Sequence, residues 1–314
     1  MSLRILFAGT PEIALPSLEC LMKEFSVVGV LTAPDQQAGR GRNLYPSPVK
    51  TLALQLGLPV YTPEKLDACA RQWVQEHSPD VLVVVAYGKI LGPKFLGLFP
   101  KGAINLHPSL LPKYRGPSPI PAAILAGDTE TGITIQRISL KMDAGPILLQ
   151  EKIPLNGTET TESLTRLCAE KGAPMLVTAL RNLAAGKGEE IPQDESKATY
   201  CKLITKEDGK ISWYSTATYI ERMIRAYTPW PTAWTLYSGA VLKILKGSVV
   251  EEGFKKNADT VGKVIGVDKT KGILVQTGSG VLALERLQLQ GRKVLQYEDF
   301  LRGMRNFVGA ILGA

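Results

Sequence analysis

Residues 80–88 read DVLVVVAYG, an unbroken apolar run too short for an ordinary helix and too rich in valine to face water on either side. A strand of this kind is buried on both faces, as strands are in parallel sheets covered by helices. The rest of the first half agrees. LRILFA (3–8), VVGVLT (27–32), the short LPVYT stretch and AINL (103–106) read as further strands. Between them, Pro16 suits the first turn of a helix through LECLMKEF. PVKTLALQLG (48–57) reads as a helix closed by a glycine, and residues near 67–77 carry a helical pattern. Such alternation implies βαβ units, so the expected fold of this half is α/β and Rossmann-like, with a mostly parallel sheet. GITIQRI (132–138) and ILLQEKIPL (147–155) add a strand pair, and residues 160–183 a long amphipathic helix.

The character then changes. AAGKGEEIPQDESKATYCKL is polar and lacks apolar periodicity, which predicts a linker over residues 186–204 between domains at 1–185 and 205–314. Beyond it, one helical segment at about 215–227 precedes short β-like runs separated by glycines: AVLKILKGSVV, GKVIGVD, GILVQTG and GVLALERLQL. That pattern suggests a small β-barrel. Two domains also suit a chain of 314 residues, more than one core usually holds.

Composition narrows the class. No apolar run approaches the roughly 20 residues of a membrane span. The opening MSLRILFAGTPE reads as a strand and turn rather than a signal peptide. Cys20, Cys69, Cys168 and Cys201 are too widely spaced for a zinc site or a disulfide framework, so reduced thiols in a cytoplasmic protein, with no metal, are expected. Nothing demands an oligomer, and a monomer is expected. Residues 1–204 carry 21 Lys+Arg against 19 Asp+Glu, whereas residues 205–314 carry 16 against 10. A basic C-terminal part fits either a solvated surface or a polyanionic partner held through phosphates.

Ligands of open parallel sheets bind outside the carboxyl ends of the strands. After the first strand the turn is Ala8-Gly9-Thr10-Pro11-Glu12, without the G-x-G-x-x-G of a dinucleotide site, and no P-loop occurs anywhere. The stretch NLHPSLLPKYRG (105–116) falls where chemistry is expected. Asn105 and His107, one of two histidines in the chain, leave the AINL strand two residues apart and on one side. An amide and an imidazole converging there can both donate to one oxygen, as an oxyanion site requires. A turn histidine satisfied by local backbone is the structural alternative.

NLHPSLLPKYRG followed by LKMDAGPILL (140–149) resembles the folate-dependent formyltransferase family. GRGRNLYPSPVK (39–50), AYGKIL (86–91), ATYCKLITKEDGKISW (198–213) and RAYTPWPTAW (225–234) extend the likeness to members that act on an aminoacyl-tRNA. The motifs occur in the right order over nearly the whole chain.

The resemblance implies an enzyme that moves the formyl group of 10-formyltetrahydrofolate to the amino group of methionine on initiator tRNA. It implies a catalytic trio of Asn105, His107 and Asp143, with Asp143 favouring a protonated His107. Ser109, Leu110, Leu111 and Pro112 match the family's folate-binding motif, with Tyr87 and Gly88 as further pocket candidates. The loop Gln36–Leu44 would enter the tRNA acceptor end through Arg40 and Arg42, with Arg40 matching the family's key arginine. An OB-like basic C-terminal barrel would hold the same partner, and Lys206 and Lys210 are candidate phosphate contacts. Rival readings are a formyltransferase for a small amine, such as glycinamide ribonucleotide or an amino-sugar nucleotide, and a non-catalytic RNA-binding protein.

Overall fold

The strands expected in the first half all form in a computed structural model that describes residues 3–38, 43–251, 261–304 and 306–313. They are β1 (Arg4–Gly9), β2 (Ser26–Leu31), β3 (Gln36–Ala38), β4 (Asn43–Tyr45), β5 (Val60–Tyr61), β6 (Val81–Val85), β7 (Ala103–His107), β8 (Glu130–Arg137) and β9 (Ile147–Pro154). The helices α1 (Leu15–Glu24), α2 (Pro48–Gln55), α3 (Ala68–His77), α4 (Pro93–Leu96), α5 (Pro119–Ala126) and α6 (Thr161–Ala184) lie between or after them. Seven strands make one sheet in the order β5-β2-β1-β6-β7-β8-β9. The first five of that order run parallel, and β8 and β9 are antiparallel additions. All five residues of β6 are buried, as the valine run requires.

Loop Gln36–Leu44 rises from a strand pair. Gln36 pairs with Tyr45 and Gln37 with Leu44 in an antiparallel β3–β4 hairpin. Arg40 and Arg42 lie outside the described residues.

By its contacts the chain divides into two units. The first comprises Met1–Pro119, Glu130–Pro154 and Thr165–Lys202; the second comprises Ile120–Thr129, Leu155–Leu164 and Leu203–Ala314. Most of the stretch expected as a linker is therefore a strap on the first unit. Ile191 exchanges backbone hydrogen bonds with Ile147 (2.9 and 2.8 Å), and Arg115 N–H donates to the Thr199 carbonyl (2.9 Å). Its polar residues are spent on these ladders and on a buried arginine, which a reading of apolar periodicity cannot detect.

In the second unit, α7 (Ala217–Ala226) buries Ala217, Ile220, Met223, Ile224 and Ala226, the i, i+3 spacing of an amphipathic helix. Thr216 caps it by accepting from Tyr219 N–H (3.1 Å). The strands β10 (Ala233–Tyr237), β11 (Ala240–Glu251), β12 (Val264–Asp268), β13 (Gly272–Gln276), β14 (Val281–Leu289) and β15 (Leu295–Gln296) are antiparallel. They run in the order β10-β11-β14-β13-β12, with β15 on β14. The last helix, α8, spans Tyr297–Arg302. Among the described residues no helix is long and apolar enough to cross a membrane.

Candidate active site

Strand β7 ends at the site. Asn105 lies opposite Gln136 of β8 and His107 opposite Thr134, so all four side chains share one face. Asn105 is half-buried, and its amide has no hydrogen-bond partner among the described residues. His107 is 4% exposed. Its Nε2 lies 2.9 Å from the Tyr114 carbonyl oxygen. A carbonyl only accepts, so Nε2 carries the proton. Nδ1 then faces the Asp143 carboxylate, with Oδ2 at 3.7 Å. That is close enough for a charge to be felt and too long for a hydrogen bond.

Asp143 sits in the turn between β8 and β9 with φ +50°, in the left-handed region. Its carboxylate is held from two sides: Gly116 N–H donates to Oδ2 (2.8 Å) and Gln136 Nε2–H to Oδ1 (3.1 Å). Gly116 has φ +116°, and a Cβ there would run into the Cys201 carbonyl. Only glycine brings that donor to the carboxylate.

Burial pushes the His107 imidazole below its ordinary value; Asp143 and the Tyr114 carbonyl pull upward and do not overcome it. Asp143 thus favours the protonated ring, as expected, but burial outweighs it. The neighbouring carboxylate is visible in the sequence, but the loss of water around the ring is not. The sign for stability follows. A histidine with a folded pKa below its unfolded value of 6.5 gives its full contribution above about pH 6.5, and that contribution is lost as pH falls through the folded value. Urea midpoints should therefore fall with acidification below about pH 6.5, and His107→Gln should flatten that part of the curve. An unchanged slope would show that His107 titrates normally.

The chain that carries this constellation matches known enzymes over its length. The formyl transferase family profile matches residues 3–180, and a formyl transferase C-terminal domain profile matches residues 203–305. The methionyl-tRNA formyltransferase of Treponema denticola is 45% identical over 98% of both chains. That of Roseiflexus castenholzii is 48% identical over 100% of both. The chain belongs to the methionyl-tRNA formyltransferase family. Solved structures agree in fold. An N-formyltransferase from Helicobacter canadensis gives a TM-score of 0.65 at 20% identity, over 90% of this chain and 99% of its own. HypX from Aquifex aeolicus, solved with tetrahydrofolic acid, gives 0.66 at 17% identity over 98% of this chain. The matched region is 48% of HypX, so this chain spans about half of that protein.

Within this formyltransferase the other expected site residues separate by exposure. Leu110 and Pro112 are half-buried at the loop surface. Ser109 is fully buried, its hydroxyl donating to the Lys113 carbonyl (2.6 Å), and Leu111 is 3% exposed with its N–H on Thr134 Oγ1 (3.2 Å). These two hydrogen bonds hold the loop in shape. Tyr87 is likewise buried in the core with Leu82, Phe95 and Phe99, its hydroxyl without a partner among the described residues and driven above its usual range by desolvation. Gly88, by contrast, is exposed with φ +80°. Lys206 and Lys210 are exposed in the second unit, the Lys210 ammonium 5.9 Å from the centre of the Trp234 ring. Gln136, Gln193 and Arg115 emerge beside the trio without having been expected there.

Proposed function

We propose that the chain transfers the formyl group of 10-formyltetrahydrofolate to the α-amino group of methionine esterified to initiator tRNA, giving N-formylmethionyl-tRNA. The observation that carries this reading is the pairing of His107 with Asp143, on the face of β7 that also carries Asn105, in a chain matched by methionyl-tRNA formyltransferases over its full length.

The chemistry asks little of a base at the outset. An α-amino group titrates near pKa ~8, and lower in an ester, so much of the acceptor is already neutral at pH 7. As it adds to the formyl carbon, charge builds on the carbonyl oxygen. The Asn105 amide, unspent on the protein, donates to that oxygen. His107 is neutral, its Nε2–H fixed on Tyr114, so the Nδ1 lone pair accepts the proton from the newly formed ammonium. Asp143, 3.7 Å away, stabilises the resulting imidazolium. His107 then returns that proton to N10 of the departing tetrahydrofolate as the old C–N bond breaks and the carbonyl re-forms. One proton leaves the amine and one reaches N10.

Leu110 and Pro112 offer an apolar edge suited to a flat pterin, and Gly88 is open backbone after β6, the strand paired with β7. Arg40 and Arg42 of the QQAGRGRNL stretch, and Lys206 and Lys210 on the basic second unit, supply cations for acceptor-stem phosphates. The reading describes a monomeric enzyme of the cytoplasm.

Acceptor choice tests it. With 10-formyltetrahydrofolate as donor, charged initiator tRNA is expected to be formylated and glycinamide ribonucleotide not. The affinity for tRNA is expected to fall steeply between low and physiological salt. Formylation of the small amine alone, or a salt-insensitive affinity, would place the chain with the rival reading.

A further inference from the structure

We propose that Gln193 is a positioning residue which, with Arg115 behind it, fixes the Asp143 turn against His107 and so tunes the imidazole. The proposal rests on the reading above, in which His107 and Asp143 perform the transfer.

Arg115 is fully buried, and its guanidinium is itself anchored. It meets the Glu195 carboxylate at 2.7 and 3.2 Å and the Tyr200 hydroxyl at 3.2 Å. Its Nε and second amino group both donate to Gln193 Oε1, at 3.0 and 2.8 Å. A guanidinium has no acceptor, so the Gln193 amide can face it only with its oxygen. The Gln193 NH2 must then point the other way, where three acceptors lie: the Asp143 carbonyl (2.8 Å), the Gly145 carbonyl (2.7 Å) and Gln136 Oε1 (3.2 Å). With its oxygen thus occupied, Gln136 has only its NH2 to offer the Asp143 carboxylate. Each group donates to the next, and the polarity ends on the carboxylate beside His107. Hydrogen bonds aligned in one direction polarise one another.

Two features separate this from ordinary fastening. The chain grips both parts of Asp143, its carbonyl and its carboxylate. It also restrains a residue in the left-handed region, which non-glycine residues leave readily unless held. The groups that face His107 are the Asp143 carboxylate and the Tyr114 carbonyl. The Cys201 thiol sits behind the latter, 3.6 Å from the Tyr114 oxygen, with burial pushing its pKa up so that it adds no charge. Asp143 is therefore the charged group through which the ring is tuned.

The test exploits the two histidines, His77 and His107: a His77→Gln background leaves a single imidazole to follow by NMR. In that background Gln193→Met keeps the side-chain length and removes every polar contact. Releasing the carboxylate removes its upward pull, so the His107 titration is expected to move further down. Formyl transfer is expected to fall roughly 10- to 100-fold in kcat with KM for tRNA little changed. Should Gln193→Met not fold, Gln136→Met, which cuts the last donor only, is expected to shift the titration the same way. A folded variant whose His107 titration stays put or rises overturns the proposal. Wild-type transfer, assayed alongside, keeps the two claims apart: its absence refutes the reaction assigned above, while an unmoved titration refutes the coupling alone.

Discussion

Replacing His107 with alanine is expected to cut formyl transfer by roughly 10²–10⁴-fold while leaving tRNA affinity within a factor of about two. The ring is buried and held at Nε2 by the Tyr114 carbonyl, so its only free function is the Nδ1 lone pair beside Asp143. Losing it removes the acceptor for the ammonium proton and the donor to N10 together. Single-turnover transfer with donor and acceptor prebound measures the effect, and filter binding measures affinity. If turnover and tRNA binding fell in parallel, His107 would be a structural residue of the loop.

Gly145→Ala is expected to be nearly as damaging, although Gly145 touches no substrate in this account. A Cβ there would strike the Arg137 carbonyl at the end of β8, an obstacle made of backbone that cannot swing aside. Relief requires the 143–145 turn to move, and Asp143 moves with it. Misplacing a catalytic group by about 1 Å costs on the order of 10²-fold in rate, and the overpacking itself costs roughly 1–3 kcal/mol. Gly157→Ala is the control: it has φ +85° with nothing within 4 Å of its Cβ, so it carries only a left-handed penalty of about 1–2 kcal/mol and should leave turnover intact. Equal turnover in the two variants would show that the turn tolerates displacement.

Much of the architecture is legible because it depends on period. The valine run of β6 and the apolar spacing of α7 report burial directly, and both elements form where the pattern lies. Helix α5, PIPAAILA, is apolar throughout and opens on prolines, so it carries no periodic signal. Asn105 and His107 are legible because a strand end places them side by side. Gln136 and Gln193 are not, since neutral amides 57 positions apart acquire meaning only when the strap folds back onto the sheet. The ionisation of His107 is the sharpest case. The sequence shows a carboxylate that raises its pKa, and only the folded chain shows the desolvation that outweighs it.

Rapid-quench transfer of labelled formyl from 10-formyltetrahydrofolate to charged initiator tRNA, in the wild type and in Asn105→Ala, tests the central claim most directly. Label is expected on the methionyl amino group with the wild type, and transfer about 10²–10³-fold slower once the oxyanion donor is gone. No label on methionyl-tRNA with the wild type, or undiminished transfer by Asn105→Ala, would contradict the assignment of this chemistry to the end of β7.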